Sequence, residues 1–478
     1  MSSKGPLYIT TTLPYVNADP HIGFALEIVQ ADIIARHNSL LGRDVYFNTG
    51  TDEHGQKIYD RALKEGKDPQ AYVDEYATKF KSLKERLNLY ADIHFIRTTD
   101  QHHIEAAQEL WRRCLKNGDI YKKKYRGLYC VGDEAFMRES DLVDGKCPNH
   151  PSMKITEIEE ENYFFSLSKY QEKLIKYLSK KEVIIPEWRR KEAIDFVQRG
   201  LEDFSISRVK EKMPWGLPVP NDDSQVMYVW FDALTNYIST LGWPDDKEGN
   251  FDRFWNKGFS IQMAGKDQVR FQSIMWQAML MSADVKTTDE IFYHGFITSG
   301  GQKMSKSLGN VIDPIAIAEE YGVDALRYYL ARHIHPVEDS DFTMERFKEA
   351  YNADLANGLG NLVSRVFKMA ASYDVELPQF DNNYSNNEFL DNFEIQKAAD
   401  AIWSWIRELD GFIEAEQPFK KIKIDSDGAK RDIQQLLKGV YNVSVALKPF
   451  LPETTEKILE ALKAGKIKEI GALFPRVE

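Results

Sequence analysis

The chain has 478 residues, 43% of them hydrophobic and 28% charged, which is typical of a soluble globular protein of about three domains. Its three cysteines, Cys114, Cys130 and Cys147, exclude a disulfide framework and fit a reducing compartment. The net charge of −12 argues against a protein that coats nucleic acid through a broad basic surface. The sequence has no secretory signal and no run of about 20 apolar residues. We therefore expect a cytoplasmic protein that binds neither DNA nor a membrane.

The first fifty residues predict a βαβ unit. Residues 7–12 are aromatic and β-branched and predict a strand, and residues 13–20 contain two prolines and predict a loop. Apolar positions between Ile22 and Leu41 recur at helical spacing, and Val45 begins a second strand that ends at Asp52. A strand, a helix and a strand in this order indicate a parallel sheet and an α/β fold.

The rest of the chain changes character twice. A helix is predicted at 101–118, and residues 119–221, with short strand-like pieces and charge runs, are interpreted as an insertion. Sheet-like sequence returns at 225–230 and 291–293. From about residue 342 the segments are long and amphipathic and predict a helix bundle. The basic runs, which include Lys122, Lys123 and Lys124, are interpreted as solvated surface.

Two segments indicate phosphate chemistry. Residues 20–24 lie where a parallel strand gives way to a helix N-terminus, whose N–H groups and dipole attract anions. His21 at that point either donates to a phosphate or simply caps the helix. Residues 300–310 form a cationic loop between glycines, which suits either a mobile flap over a polyphosphate or a solvated surface loop.

Taken together, residues 21–24 and 303–307 resemble the HIGH and KMSKS signatures of class I aminoacyl-tRNA synthetases in their order and separation. Further motifs are similar to those of the methionyl-tRNA synthetase family. They are TTLPYVN at 11–17, GTDEHG at 50–55, YVWFDA at 228–233, NVIDP at 310–314 and NLVSR at 361–365. The resemblance spans essentially the whole chain.

The resemblance implies a class I Rossmann-type catalytic domain with a parallel sheet, split by an insertion and followed by a C-terminal α-helical bundle. We expect the two halves of the catalytic domain at 1–118 and 222–299. The inserted connective domain at 119–221 would contain a knuckle at about 128–152. The KMSKS loop and a linking segment would occupy 300–345, and a helical anticodon-binding domain 346–478.

The resemblance also implies an activity. Members of the family activate methionine with Mg-ATP, release pyrophosphate and transfer the aminoacyl group to the 3′ end of tRNA(Met). The expected ligands are therefore L-methionine, ATP with Mg²⁺, and tRNA(Met). His21, Lys303 and Lys306 are expected to be catalytic, stabilising phosphate charge in the transition state without a covalent enzyme intermediate.

By similarity, the binding residues fall into two sets. The ATP-binding residues are expected to be His21, Gly23, Phe24, Gly265, Asp267, Lys303, Ser305 and Lys306. The methionine-binding residues are expected to be Leu13, Tyr15, Asp52, Trp230, Ala233, Leu234, Tyr237 and His294. Asp52 would hold the substrate ammonium, and aromatic rings would pack against the polarizable thioether. Without the motif, Trp230 and Tyr237 would equally fit a core.

Three residues are expected to contact the anticodon. Asn361 and Arg365 are four residues apart and share one helix face, which in the family meets the anticodon. Phe419 replaces a tryptophan that family members stack on an anticodon base, and a phenyl ring can stack with less area.

Two departures concern the catalytic half. Phe24 replaces the second histidine of HIGH, and Gln272 stands where a histidine is usual, in a segment expected near the nucleotide. Either Phe24 is a plain loss of a phosphate donor, or its ring packs against the adenosine or a neighbouring apolar wall. We favour the second account because two coordinated changes indicate a repacked pocket.

The insertion resembles the zinc knuckle of related enzymes. Cys130, Asp133, Cys147 and His150 keep the ligand spacing, with Asp133 at a position that is usually cysteine. Zinc accepts carboxylate oxygen, so the alternatives are a Cys₂-His-Asp zinc site and a metal-free knuckle closed by packing.

Two other functions stay open. One is a class I synthetase for another apolar amino acid, such as leucine or cysteine, against which Trp230 and Tyr237 argue. The other is a tRNA-binding paralogue without catalysis, against which Lys303 and Lys306 argue. The sequence contains no appended oligonucleotide-binding domain, so we expect a monomer.

Overall fold

The computed structural model describes residues 5–130, 135–137, 139–148, 151, 153–304, 309–380, 384–385, 387–464 and 467–478. Its centre is a parallel six-stranded sheet in the order β3-β2-β1-β12-β13-β7. The strands are β1 (Leu7–Thr10), β2 (Val45–Thr51), β3 (Ile93–Arg97), β7 (Ile184–Ile185), β12 (Phe259–Gly265) and β13 (Glu290–His294). Strand order reverses direction between β1 and β12, and such a switch point opens a crevice at the carboxyl ends of the strands.

The parallel sheet confirms the predicted βαβ unit and the α/β class, but the second half differs from expectation. The sheet-like segment 225–230 divides between an antiparallel strand and a helix, so it does not join the parallel sheet. The strand that joins instead is β12, which the sequence analysis did not single out. Ile184 and Ile185, inside the predicted insertion, form the edge strand β7 of the parallel sheet. The sequence did not predict this strand, because a two-residue apolar run is too short to show a period.

The remaining strands form three small sheets. The strands are β4 (Ile120–Cys130), β5 (Ala135–Met137), β6 (Thr156–Phe165), β8 (Phe204–Ser205), β9 (Ser207–Val209), β10 (Pro218–Val219), β11 (Asp222–Met227), β14 (Ile297–Ser299), β15 (Gln302–Lys303) and β16 (Ser340–Phe342). Their orders are β5-β4-β6-β8, β10-β11-β9 and β15-β14-β16. The basic strand β4 pairs with the acidic strand β6, where Lys124 lies opposite Glu161 and Arg126 contacts Glu157. Acidic neighbours therefore offset the charge of this basic run.

The helices that cover the sheet and form the C-terminal bundle follow in chain order. They are α1 (Ile22–Leu40), α2 (Gln56–Lys64), α3 (Pro69–Lys81), α4 (Leu83–Arg86), α5 (Gln101–Lys116), α6 (Gln171–Leu178), α7 (Glu187–Gln198), α8 (Val229–Ala233), α9 (Asn236–Ser239), α10 (Gln277–Ser282), α11 (Pro314–Tyr321), α12 (Val323–Arg332), α13 (Met344–Ala350), α14 (Asn361–Ser372), α15 (Glu388–Asp391), α16 (Ile395–Glu416), α17 (Pro418–Lys421), α18 (Ser426–Leu447) and α19 (Pro452–Lys463). π-Helical turns occur at Phe251–Asn256, Phe271–Trp276 and Tyr351–Gly360, and short 3₁₀ turns at Glu139–Asp141, Leu167–Tyr170 and Lys266–Gln268. The helical segments predicted at 22–41 and 101–118 are confirmed, and so is the helical character of the chain after about residue 342.

Helix α1 lies between the sheet and the bundle. It packs against β1, β2 and β12 on one side and against α12 and α15 on the other. Nearly all of its residues are buried, which explains why its sequence is apolar on most faces. One hydrophobic core runs from Ile9 and Ile33 beside the sheet to Leu436 and Leu459 in the bundle.

A fully buried guanidinium joins these parts. Arg327 in α12 donates from Nη2 to Asp32 Oδ2 of α1 at 2.6 Å. The same side chain donates to the carbonyl oxygen of Leu87, and to those of Pro449 and Phe450 just after α18. A charge without access to water is tolerated only when its donors are satisfied, and here every nitrogen donates.

The same helix also holds the start of α19. Asp324, one turn before Arg327, accepts the backbone N–H of Thr454 at 2.6 Å, at the positive end of the α19 dipole. Burial raises the pKa of Asp324 above its ordinary value. The two charged side chains of α12 therefore fix the turn between α18 and α19 to the catalytic half.

Among the helices that the structure describes, none is both long enough and apolar enough to cross a bilayer.

We expect Arg327→Met to destabilise the protein by about 3–5 kcal/mol, because it leaves the buried Asp32 with Arg36 as its remaining cationic partner and removes a donor from three buried carbonyl oxygens. The measurement is the midpoint of urea unfolding. The control is Arg86→Met, which breaks the exposed Arg86–Glu319 pair and should cost at most about 1 kcal/mol. Equal shifts for the two variants would contradict this account.

Candidate active site

A cavity of about 1110 Å³ opens at the switch point of the parallel sheet. It is lined by every predicted ATP- or methionine-binding residue that the structure describes. These are Leu13, Tyr15, His21, Gly23, Phe24, Asp52, Trp230, Ala233, Leu234, Tyr237, Gly265, Asp267, His294 and Lys303. Ser305 and Lys306 lie outside the described residues. Two motifs that are almost 300 residues apart in the sequence therefore meet at one cavity.

The first turn of α1 faces this cavity. His21 is the N-cap residue, and its Nδ1 accepts the backbone N–H of Gly23 at 3.1 Å. Because Nδ1 accepts, the neutral ring carries its proton on Nε2 and can donate it to an anion. Although the side chain is exposed at the rim, the surrounding walls desolvate the ring and lower its pKa. Capping and phosphate binding are therefore compatible roles for His21.

Gly23 and Phe24 have different reasons for their identities. A Cβ atom at Gly23 would lie only 2.9 Å from the His21 ring, so glycine is required for this cap. The ring of Phe24 packs edge-on against Phe80, with centroids 5.5 Å apart. The favoured account of Phe24, a ring held against an apolar wall, is consistent with this contact.

The side of the cavity where the nucleotide is expected also includes the end of β12 and the hairpin of β14 and β15, here called the flap hairpin. A Cβ atom at Gly265 would lie 2.7 Å from Asp267 Oδ1, so glycine lets this carboxylate fold back over the strand end. Lys303 is exposed on β15. The turn before it is held by Asp341, whose Oδ1 accepts from Gly301 N at 2.7 Å and from Thr298 Oγ1 at 2.9 Å.

On the amino-acid side, Asp52 is tied to the loop after β1 through the backbone. Its N–H donates to the carbonyl oxygen of Pro14, and its own carbonyl oxygen accepts from the N–H of Val16. Leu13 and Tyr15, both expected to bind methionine, flank these contacts. The carboxylate expected to hold the ammonium and the loop expected to hold the side chain therefore move together.

The residue after Asp52 is a fully buried anchor. Glu53 accepts a two-pronged hydrogen bond from Arg97, at 2.8 and 2.9 Å, and further bonds from the hydroxyls of Thr51 and Thr99. Its backbone carbonyl oxygen accepts from the indole N–H of Trp215. Such a saturated network leaves the Asp52 backbone little freedom.

A second buried cluster lies behind Trp230 and Tyr237, the two rings that form the aromatic wall of the cavity. Asp232, in α8 with Trp230 and Ala233, contacts His54 Nδ1 at 2.7 Å and His103 Nε2 at 2.9 Å. Burial alone would raise the pKa of Asp232, but the two imidazoles hold it at about 2. The cluster fixes α8 to the loop that carries Asp52.

Neighbouring side chains hold the two rings of the aromatic wall in place. Trp230 stacks on Phe271 with ring centroids 3.7 Å apart and an interplanar angle of 12°. The hydroxyl of Tyr237 accepts from Gln272 Nε2 at 2.6 Å, and both side chains are buried. Gln272 therefore supports Tyr237 from behind, and the expectation that its segment lies near the nucleotide stays a prediction.

Several residues that line this cavity were not predicted from the sequence, among them Phe80, Phe271 and Glu27. Phe80 and Phe271 support Phe24 and Trp230, and their role depends on contacts between segments far apart in the chain. Glu27 lines the cavity and contacts His294. The signal that could have revealed Glu27 is a carboxylate within the apolar run Ala-Leu-Glu-Ile-Val at 25–29 of a helix predicted to be buried.

The insertion reaches the cavity too, since Met137, Asp141 and Pro148 contribute to its lining. Of the proposed zinc ligands, Cys130 and Cys147 are buried and are not joined in a disulfide, while Asp133 and His150 lie outside the described residues. Within the part of the chain that is described, no group of three or more His, Cys, Asp or Glu residues is arranged to hold a metal ion. The zinc site stays a prediction.

The three residues expected at the anticodon lie in the bundle. Asn361 is exposed on α14, and Arg365, one turn later, points to α16, where Nη1 is 3.3 Å from Asp410 Oδ1. Phe419 is 40% exposed on α17. Both α14 and α17 pack against α18. An exposed ring and an exposed amide can contact unstacked bases without rearrangement.

Comparison with known proteins agrees with this geometry. The family model described as "tRNA synthetases class I (M)" matches residues 7–159 and 150–367. The model described as "Anticodon binding domain of methionyl tRNA ligase" matches residues 376–470.

Individual relatives agree over the full length. The methionine–tRNA ligase of Thermotoga maritima is 40% identical over 94% of this chain and 74% of its own. That of Rickettsia felis is 38% identical over 99% of both chains. The solved structure of Mycobacterium tuberculosis methionyl-tRNA synthetase in complex with methionyl-adenylate matches with a TM-score of 0.91, 37% identity, and coverage of 99% of this chain and 100% of the other. The chain belongs to the methionyl family of class I tRNA synthetases.

Proposed function

We propose that the protein activates L-methionine with ATP and transfers the methionyl group to the 3′ end of tRNA(Met). The observation that carries this proposal is the single cavity in which the described residues of the HIGH motif, the flap hairpin and the expected methionine site meet. Full-length relatives named methionine–tRNA ligase support it.

In the first step, a carboxylate oxygen of methionine attacks the α-phosphorus of ATP. The bond from that phosphorus to the bridging oxygen breaks, and pyrophosphate leaves. His21 Nε2–H and the N-terminus of α1 would stabilise the developing phosphate charge. Lys303, with Lys306 from the flap, would neutralise the departing pyrophosphate. Mg²⁺ enters as part of the ATP complex.

In the second step, a hydroxyl of the terminal ribose of the tRNA attacks the methionyl carbonyl carbon. The bond from that carbon to the phosphate oxygen breaks, and AMP leaves. Neither step requires a covalent enzyme intermediate. The buried contacts of Asp52 and Asp232 support this scheme, because holding the adenylate in a fixed position converts the transfer into an effectively unimolecular reaction.

Selection of methionine would depend on the aromatic wall. Trp230, stacked on Phe271, and Tyr237, supported by Gln272, present rigid rings to the side chain. Sulfur packs favourably against aromatic rings, which favours methionine over leucine or cysteine.

Zinc in the knuckle, a monomeric state and a cytoplasmic location also remain part of the proposal.

The experiment is ATP–pyrophosphate exchange with methionine, leucine or cysteine as the only amino acid. We expect exchange with methionine to exceed the others by at least about a hundredfold, since the pocket differs for each in shape and polarity. Faster exchange with leucine or cysteine would contradict methionine as substrate. No exchange with any of them would favour the paralogue without catalysis.

Arg365→Ala should reduce tRNA charging about tenfold to a hundredfold and leave pyrophosphate exchange nearly unchanged, because Arg365 lies in the bundle and not at the cavity. The measurement compares the two assays on one preparation. The matched control is Arg112→Ala, which removes an exposed arginine from α5 and should change neither rate. Equal loss in both assays would show that Arg365 acts through stability.

Phe24→His should bring no gain in methionine-dependent exchange. The introduced ring would place a polar nitrogen against Phe80, which typically costs about 1–3 kcal/mol when it finds no partner. The matched control is Phe24→Leu, which keeps an apolar contact and adds no donor. A clear rise for the histidine variant alone would mean that the native sequence merely lacks a phosphate donor.

A further inference from the structure

Glu27 is a buried carboxylate in the second turn of α1 and one wall of the cavity. It is only 4% exposed. Its Oε1 accepts from the backbone N–H of Thr12 at 2.7 Å and from the Thr12 hydroxyl at 2.5 Å. Its Oε2 contacts His294 Nε2 at 2.9 Å. The two Thr12 donors occupy Oε1, so Oε2 is the oxygen that meets the imidazole ring.

The contacts of His294 define its protonation. Nδ1 lies 2.7 Å from the carbonyl oxygen of Gly295, which has no proton to give. Nε2 faces the carboxylate of Glu27. Nδ1 therefore donates, and the proton between Nε2 and Oε2 lies on the imidazole, which is more basic than a carboxylate, so the ring is an imidazolium ion.

The surrounding charges agree with this assignment. Burial alone would lower the pKa of His294, but Glu27, the Gly295 carbonyl and Asp267 after β12 raise it above the ordinary value. The nearby hydroxyl of Tyr237 stays protonated, because burial and Glu27 both raise its pKa. The buried pair is therefore neutral overall.

We propose that Glu27 is a positioning residue, which holds the loop after β1 and the end of β13 in register through a protonated His294. The proposal rests on the function proposed above. Thr12 directly precedes Leu13 of the expected methionine site, and His294 belongs to the opposite half of the split sheet. Glu27 thus joins the two walls between which the amino acid would lie.

Two consequences follow. Both nitrogens of His294 are already engaged, so the ring presents its carbon edge to the substrate and not an N–H donor. Loss of one ring proton would turn a lone pair toward the Glu27 carboxylate or the Gly295 carbonyl, and the contact would become repulsive. The register of the two walls therefore weakens as the pH rises through the pKa of His294.

The first test measures the pair without any ligand. Histidine labelled in the ring is titrated by NMR, and His294 among the ten histidines is assigned from the spectrum of His294→Asn. In the native protein, His294 should titrate above 6.5. In Glu27→Gln it should titrate at lower pH, because a neutral amide can donate to a neutral imidazole. A native value at or below 6.5 would overturn the proposal, and so would an unchanged value in the variant.

The second test is the pH profile of kcat/KM for methionine in pyrophosphate exchange. The native enzyme should lose activity at alkaline pH with the pKa that NMR assigns to His294. Glu27→Gln should raise the KM for methionine about tenfold, shift this limb to lower pH and leave the KM for ATP within about twofold. Glu105→Gln, at an exposed position on α5, is the control and should match the native profile.

An unshifted limb in Glu27→Gln would overturn the positioning role. If the enzyme instead used a different amino acid, methionine as the substrate would be wrong. The NMR titration would still show whether Glu27 and His294 form the protonated pair. The two failures are therefore distinguishable.

Discussion

The position of the helix bundle relative to the parallel sheet depends on the buried contact between Arg327 and Asp32. This contact places a full positive charge where no water reaches it, and that charge is tolerated because the guanidinium also bonds the carbonyl oxygens of Leu87, Pro449 and Phe450. Together these bonds hold α1, α12 and the turn after α18 against one another. The bundle is thereby fixed to α1, whose first turn faces the cavity. One continuous hydrophobic core therefore connects the proposed active site with the helices that carry the proposed anticodon surface.

Buried charged side chains also fix the segments around the cavity. Glu53 is saturated by Arg97 and two threonine hydroxyls, and Asp232 is held between two histidines. Each buried carboxylate joins segments that are far apart in the chain, and each lies one or two residues from a side chain expected to touch substrate. Apolar packing alone would allow these segments to slide, whereas a buried charge allows a single register. This preorganisation is what an enzyme without a covalent intermediate requires.

The sequence predicted what has a local or a periodic signal. The βαβ unit and the long helices follow from alternation and helical spacing, and both are present. The motifs at 21–24 and 303–307 are short sequence signatures, and described residues from both line the cavity. The sequence analysis missed β12. Of the sheet-like segment 225–230, only residues 225–227 form a strand, and that strand is antiparallel, because a short apolar run fits a parallel or an antiparallel strand equally well. The contact of Gln272 with Tyr237 and the role of Glu27 were overlooked for a different reason. Their partners, Tyr237 and His294, become neighbours only after the two halves of the sheet assemble, and no pattern within either segment reports that contact.

The central claim is that the switch-point cavity holds the methionyl-adenylate, with the phosphate at the first turn of α1 and the amino acid between Asp52 and the aromatic wall. The most direct measurement is a crystal structure of the protein with a non-hydrolysable sulfamoyl analogue of that adenylate. The account predicts the sulfamoyl group beside His21, the ammonium on Asp52 and the thioether between Trp230 and Tyr237. An analogue bound in the reverse orientation, or bound outside this cavity, would contradict it.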